Sequence, residues 1–206
     1  MFPNNSELRS RVENSILKYM EVKPHKEYAE EDVIRERVDR LIEHRIPWLI
    51  IGLLGGLLTT VIVSKYEVVL SADVRLAFFI PIIVYLSDAV GTQTETIYVR
   101  ELSERKVNFL KYILKESVVG LGLGIISGIL LGIFATFWLK SSAIGLTIGL
   151  TMFINLTLAP VLAVFVPSIL YKRHADPALG SGPAATIIQD LISLFVYFFV
   201  ASIIIF

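Results

Sequence analysis

The sequence predicts an all-α membrane protein with five transmembrane helices, its N-terminus cytoplasmic and its C-terminus extracytoplasmic. Three observations predict it. Hydrophobic residues make up 54% of the 206, and the mean hydropathy is +0.68, too apolar for a chain that must cover a core with polar surface. Five apolar stretches are long enough to cross about 30 Å of hydrocarbon, which takes roughly 20 helical residues. The 19 Lys and Arg residues are also unevenly placed, with 16 in the N-terminal segment and alternate loops and 3 in the other loops. By the positive-inside rule the basic side is cytoplasmic. Acidic residues also number 19, so no basic excess points to nucleic acid. The absence of Cys excludes disulfides, thiolate metal sites and cysteine nucleophiles. The first residues carry no short apolar run before a small-residue cleavage site, so no signal peptide is expected.

Residues 1–46 read as a cytoplasmic, amphipathic helical segment. Leu8, Val12, Ile16 and Tyr19 recur at helical spacing; after Pro24, residues Ile34, Val38, Leu41 and Ile42 mark a second helix running to Arg45. So short a segment buries too little surface to fold alone, and its second helix is expected against the cytoplasmic face of the bundle or membrane.

Residues 47–206 form the transmembrane domain. Its spans run from Pro47 to Ser64, Leu76 to Val99, Ser117 to Leu139, Ala143 to Tyr171 and Ala184 to Phe206. Without water to bond the backbone each must be helical, and the alternation of a barrel strand is absent. Small residues repeat every fourth position at Gly52 and Gly56, at Gly124, Gly128 and Gly132, and at Gly145 and Gly149, which predicts helix faces of close approach. Pro160 and Pro167 predict a kink in the fourth span, or last turns outside the hydrocarbon. An odd span number without internal repeat argues against two inverted halves in one chain.

The informative residues are acids in the hydrocarbon. Asp88 and Glu95 lie in span two and Asp190 in span five, with no Lys, Arg or His in any span. An acid near the centre of a membrane helix costs roughly 2.5 to 3.5 kcal/mol on insertion scales, so such residues face a cavity, a partner or an ion. Asp88, Thr92 and Glu95 project from one helix face with Gly91 beside them, and Asp190, Ser193 and Tyr197 form a similar stripe. Counted from the cytoplasmic ends of the apolar runs, Glu95 lies about 6 Å, Asp190 about 9 Å and Asp88 about 16 Å deep. Oxygen ligands without Cys or His suit hard cations such as magnesium, calcium or manganese; a monovalent cation or a proton stays open. The bland alternatives are snorkelling for Glu95 and helix-dipole complementation for Asp190, which sits beyond the first turn.

The run from Pro81 to Arg100, with Asp88, Gly91, Gln93 and Glu95 in it, together with Asp176-Pro177-Ala178, Ser181-Gly182-Pro183 and Asp190, resembles the transmembrane domain of the MgtE magnesium channel and transporter family over residues 46 to 206. The resemblance implies a homodimer in which spans two and five of both chains line one central cation path. It implies magnesium as the transported ion, no organic cofactor, and a multi-pass place in the plasma membrane. Asp190 matches the family's pore aspartate, while Gly91, Gln93 and Arg100 match its span-two motif. Where the family commonly has Gly-Asn this chain has Asp88-Ala89, and Glu95 replaces a small residue. Bacterial members carry a large cytoplasmic sensor region, for which the 46 residues before the first span are too few. The expected metal residues are therefore Asp88, Glu95 and Asp190, with Gly91, Thr92, Gln93 and Ser193 lining the path. The expected partners are a divalent metal ion, the lipid bilayer and a second copy of the chain. A proton- or sodium-coupled divalent-cation exchanger is the rival within transport. A metal-dependent membrane-embedded enzyme is the rival outside it, although no His, Cys or nucleophile constellation accompanies the acids, and no enzyme is expected.

Overall fold

The computed structural model describes residues 37–104, 107–172 and 177–206, and among them every regular element is helical. Helix α1 (Val38–Lys65) is followed by the short α2 (Glu67–Ala72) and a 3₁₀ segment (Val74–Phe79). Then come α3 (Ile80–Glu104), α4 (Phe109–Leu139), α5 (Ser142–Lys172) and α6 (Pro177–Ile205). Five helices are long and apolar enough to cross a membrane, as the apolar stretches predict.

The helices outrun the apolar stretches at their charged ends, because backbone hydrogen bonding does not stop where the hydrocarbon does. Helix α4 begins at Phe109 rather than Ser117 and α6 at Pro177 rather than Ala184. Helix α1 passes straight through Pro47, so the amphipathic turns before Arg45 and the first span are one helix instead of two. A proline there removes one i to i−4 bond and leaves the rest of the ladder intact. The stretch from Leu8 to Ile34 lies outside the described residues.

Helix α5 is the centre of the bundle, packed against α4, α6 and α3, while α1 packs chiefly on α6. The core joins Ile144, Ile148, Met152 and Leu156 of α5 to Leu76, Phe79 and Ile83 around the start of α3 and to Tyr197 and Phe198 of α6. The predicted glycine faces are used at the α4–α5 crossing. A Cβ added at Gly124 would lie 2.6 Å from the Phe153 carbonyl oxygen, and one at Gly128 2.7 Å from that of Gly149, so the two backbones touch. The stripe at Gly52 and Gly56 differs: nothing lies within 4 Å of either position, and Gly55 between them meets Ile187 of α6. The one extensive neighbour of α1 decides which face is closed, and it covers the Gly55 side. Leu49, Leu53 and Leu57 of α1 and Ile126 and Ile133 of α4 are exposed, an apolar belt suited to lipid.

The end of the bundle holding the α1–α3 and α4–α5 connections is tied by polar groups. Asp73 caps the 3₁₀ segment by accepting from the Arg75 backbone N–H at 3.0 Å, and its carboxylate pairs with the Arg75 guanidinium at 2.6 Å. The side-chain hydrogen bond from Arg75 holds the Asp73 carboxyl below the usual carboxylate range. The guanidinium also donates to the Leu139 carbonyl, 3.1 Å away, at the end of α4, and Tyr197 Oη donates to the Leu76 carbonyl at 2.7 Å.

Candidate functional site, an acidic seam between two helices

Helices α3 and α6 lie side by side, and their polar residues meet. Thr186 Oγ1 donates to Asp88 Oδ1 at 3.1 Å. Glu95, only 9% exposed, lies beside the Ser181 side chain near the start of α6. Asp190 sits one turn beyond Thr186, with its Oδ1 buried and without a hydrogen-bond partner. Asp88 is close enough to both Glu95 and Asp190 for the charges to interact. Among the described residues the ion pairs are Arg37–Asp39 and Arg75–Asp73; neither involves these acids.

The order along the seam differs from the one counted on the apolar runs. From the charged end it reads Glu95 with Ser181, Asp88 with Thr186, then Asp190, one turn of α6 or about 6 Å beyond Thr186. Helix α6 begins at Pro177. Ser181-Gly182-Pro183 accordingly lies inside α6, not in a loop before it.

Among the described residues no three Asp, Glu, His or Cys side chains converge closely enough to hold a metal ion, so the three acids of one chain line a seam and do not close a cage. Gly91 is buried, and a Cβ there would stand in ordinary contact, 3.5 Å from Gln189 Oε1, so Gln189 of α6 borders the space beside it. Thr92 and Gln93 are exposed, as are Thr96 and Arg100 further along the helix. Thr96 donates to the Thr92 carbonyl at 2.8 Å. This open polar face of α3 begins beside Asp88 and runs toward the charged end of the candidate span.

Ser193 turns away from that face. It is fully buried, its hydroxyl accepts from Gln189 Nε2 at 3.2 Å, and its carbonyl accepts from Asn155 Nδ2 of α5 at 3.2 Å. Three residues advance a helix by about 300°, enough to carry Ser193 from the Asp190 direction into the α5 contact.

Thr186, Gln189 and Asn155 are site residues that the sequence reading passed over. Thr186 was legible as the position four before Asp190 on the stripe that Asp190 begins. The two amides carry no charge, and a search for charges misses them. Glu116, one residue before the predicted third span, lies within α4 and accepts from buried Thr94 of α3 at 3.1 Å.

A family profile described as MgtE, divalent cation transporter, matches residues 80–200, the stretch that holds the whole acidic seam. The chain belongs to the MgtE family. The magnesium transporter MgtE of Bacillus subtilis is 32% identical over 161 residues, which cover 77% of this chain and 36% of that relative. The MgtE of Enterococcus faecalis is 35% identical over the same length and share. That of Thermus thermophilus is 30% identical over 160 residues, 76% of this chain and 35% of that relative. Each relative bears the name magnesium transporter, and this chain spans about a third of the length of these MgtE proteins.

Proposed function

We propose that this chain carries divalent cations, magnesium first, across the cell membrane along a path lined by α3 and α6 and completed by the same helices of a second copy. The observation that carries the reading is the acidic seam: Asp88, Glu95 and Asp190 on adjoining helices long and apolar enough to cross a membrane, with no basic partner among the described residues. Carboxylates so placed are tolerable when a cation or water shares the space. Magnesium gives up its waters reluctantly and is commonly held through them by one or two carboxylates, so a seam without a cage suits a hydrated ion. Thr92 and Gln93 would hold those waters from the open face of α3, and a facing copy would remove that polar face from lipid. The names of the relatives support magnesium as the cargo. The basic bias supports a cytoplasmic N-terminus, with residues 1–46 as a cytoplasmic segment and 47–206 as the transport domain.

In liposomes, Asp190→Ala and Asp88→Ala should each abolish magnesium flux while the purified variants keep the wild-type helical content and elution volume. Wild-type flux in both ends this assignment. The two acids on α3 beside Asp190 favour one second reading, a proton- or sodium-coupled exchanger. A current reversing at the magnesium equilibrium potential selects the channel, and uptake that requires a second ion gradient selects the exchanger.

A further inference from the structure

Asn155 is the one amide on α5 and lies near its middle, 13 residues from Ser142. It is 1% exposed, and its Oδ1 is buried without a partner. An unpaired buried acceptor is destabilising, so an apolar side chain of similar size would suit this place better if packing were its whole task. Its one hydrogen bond goes to the backbone carbonyl of Ser193. A bond to a main-chain carbonyl fixes the height and rotation of the helix that carries it. The Ser193 hydroxyl accepts from Gln189 one turn earlier in α6 itself, so the Asn155 amide is the bond that reaches Ser193 from another helix. Asp190 lies between Gln189 and Ser193 in the chain, and its Oδ1 has no such tie. At the roughly 5 Å side-chain radius of a helix, a rotation of about 20° moves a carboxylate by about 2 Å, which is the difference between holding and losing a cation's water shell.

We propose that Asn155 is a positioning residue: through the Ser193 carbonyl it sets the rotation of α6 that presents Asp190 to the ion. This rests on the reading of Asp190 as an ion-binding group. The side chain of Asn155 does not touch the ion; it acts from the far side of α6, with α5 as the fixed frame.

The test is thermal unfolding of the full chain in detergent across a magnesium titration, read as two separate quantities: the ion-free melting temperature and the magnesium concentration giving half of the ion's stabilisation. Asn155→Leu should raise that midpoint about tenfold or more, the change expected from about 1.4 kcal/mol of binding, with the ion-free melting temperature unchanged or higher. Thr151→Val is the control. Thr151 lies one turn away on the same face, is fully buried and is also unpartnered, but makes no bond to α6; its midpoint should equal that of wild type. Should Asn155→Leu fail to fold, Asn155→Ala removes the same tie with less bulk and should raise the midpoint likewise. A wild-type midpoint in Asn155→Leu, or an equal shift in Thr151→Val, overturns the proposal. Asp190→Asn separates the two levels. If it removes the magnesium response while Asn155→Leu behaves as wild type, the positioning role alone is wrong. If Asp190→Asn itself keeps the wild-type midpoint, the reading of Asp190 as an ion site falls, and the positioning role with it.

Discussion

Two alanine substitutions two residues apart on α4 should have opposite effects. A Cβ at Gly124 would lie 2.6 Å from the Phe153 carbonyl oxygen and 3.0 Å from Thr157 Oγ1, whereas Gly122 has nothing within 4 Å. Ordinary carbon-to-oxygen contacts across helix interfaces are about 3.3 to 3.6 Å, so Gly124→Ala requires α4 and α5 to separate by roughly 0.7 to 1 Å. No side chain can yield in their place, because the obstacle is backbone. The same is true at Gly120, facing the Leu156 carbonyl at 2.7 Å, and at Gly128, so moving one contact loosens the row. Overpacking of this kind costs about 1 to 3 kcal/mol. Both substitutions gain up to about 1 kcal/mol of helix propensity. Gly122→Ala should therefore be neutral or stabilising and Gly124→Ala destabilising, a difference of about 1 to 3 kcal/mol. Unfolding by a denaturing detergent, followed by circular dichroism, measures both. Equal stabilities would show that the close backbone approach does not hold these helices together.

Tyr197→Phe leaves the buried Leu76 carbonyl without the hydroxyl that donates to it at 2.7 Å, and should lower stability by about 1 to 3 kcal/mol in the same unfolding experiment. Asp73→Ala removes both the cap on the 3₁₀ segment and the pair with Arg75, at a cost of about 0.5 to 2 kcal/mol near neutral pH. Since the folded carboxyl titrates below its ordinary value, this contribution is complete above about pH 4, the unfolded range, and is lost as the pH falls through the folded value. Melting curves of wild type and Asp73→Ala should converge at strongly acid pH; a gap that stays constant down to about pH 2 would refute the linkage.

The spans were legible because hydrocarbon enforces length and helicity on any apolar run, and the five runs have no other use. Their starts were less legible, since Phe109 to Glu116 and Pro177 to Pro183 are helical by hydrogen bonding while their composition is mixed. Asp88, Glu95 and Asp190 stood out because charge is costly in a membrane. Helical spacing placed Asp88 and Glu95 on one stripe, and the structure adds that this stripe meets the Thr186 side of α6. Rotation about the α6 axis was beyond the reach of spacing alone: Ser193 shares a stripe with Asp190 on paper, yet the Asn155 amide draws it into the α5 contact. Glycine spacing likewise identified faces of close approach without saying whether a neighbour exists, which is why Gly128 and Gly149 meet backbone while Gly52 and Gly56 meet nothing.

The central claim is that the polar face of α3 beside the acidic seam is in contact with water and cations rather than lipid. The chain contains no Cys, so single cysteines report without background. In proteoliposomes, Thr92→Cys should react with a membrane-impermeant cationic thiol reagent, and millimolar magnesium should slow the reaction. Ile126→Cys, on the exposed apolar face of α4, should stay unlabelled. A Thr92→Cys variant as inert as Ile126→Cys would place that face in lipid and contradict the account.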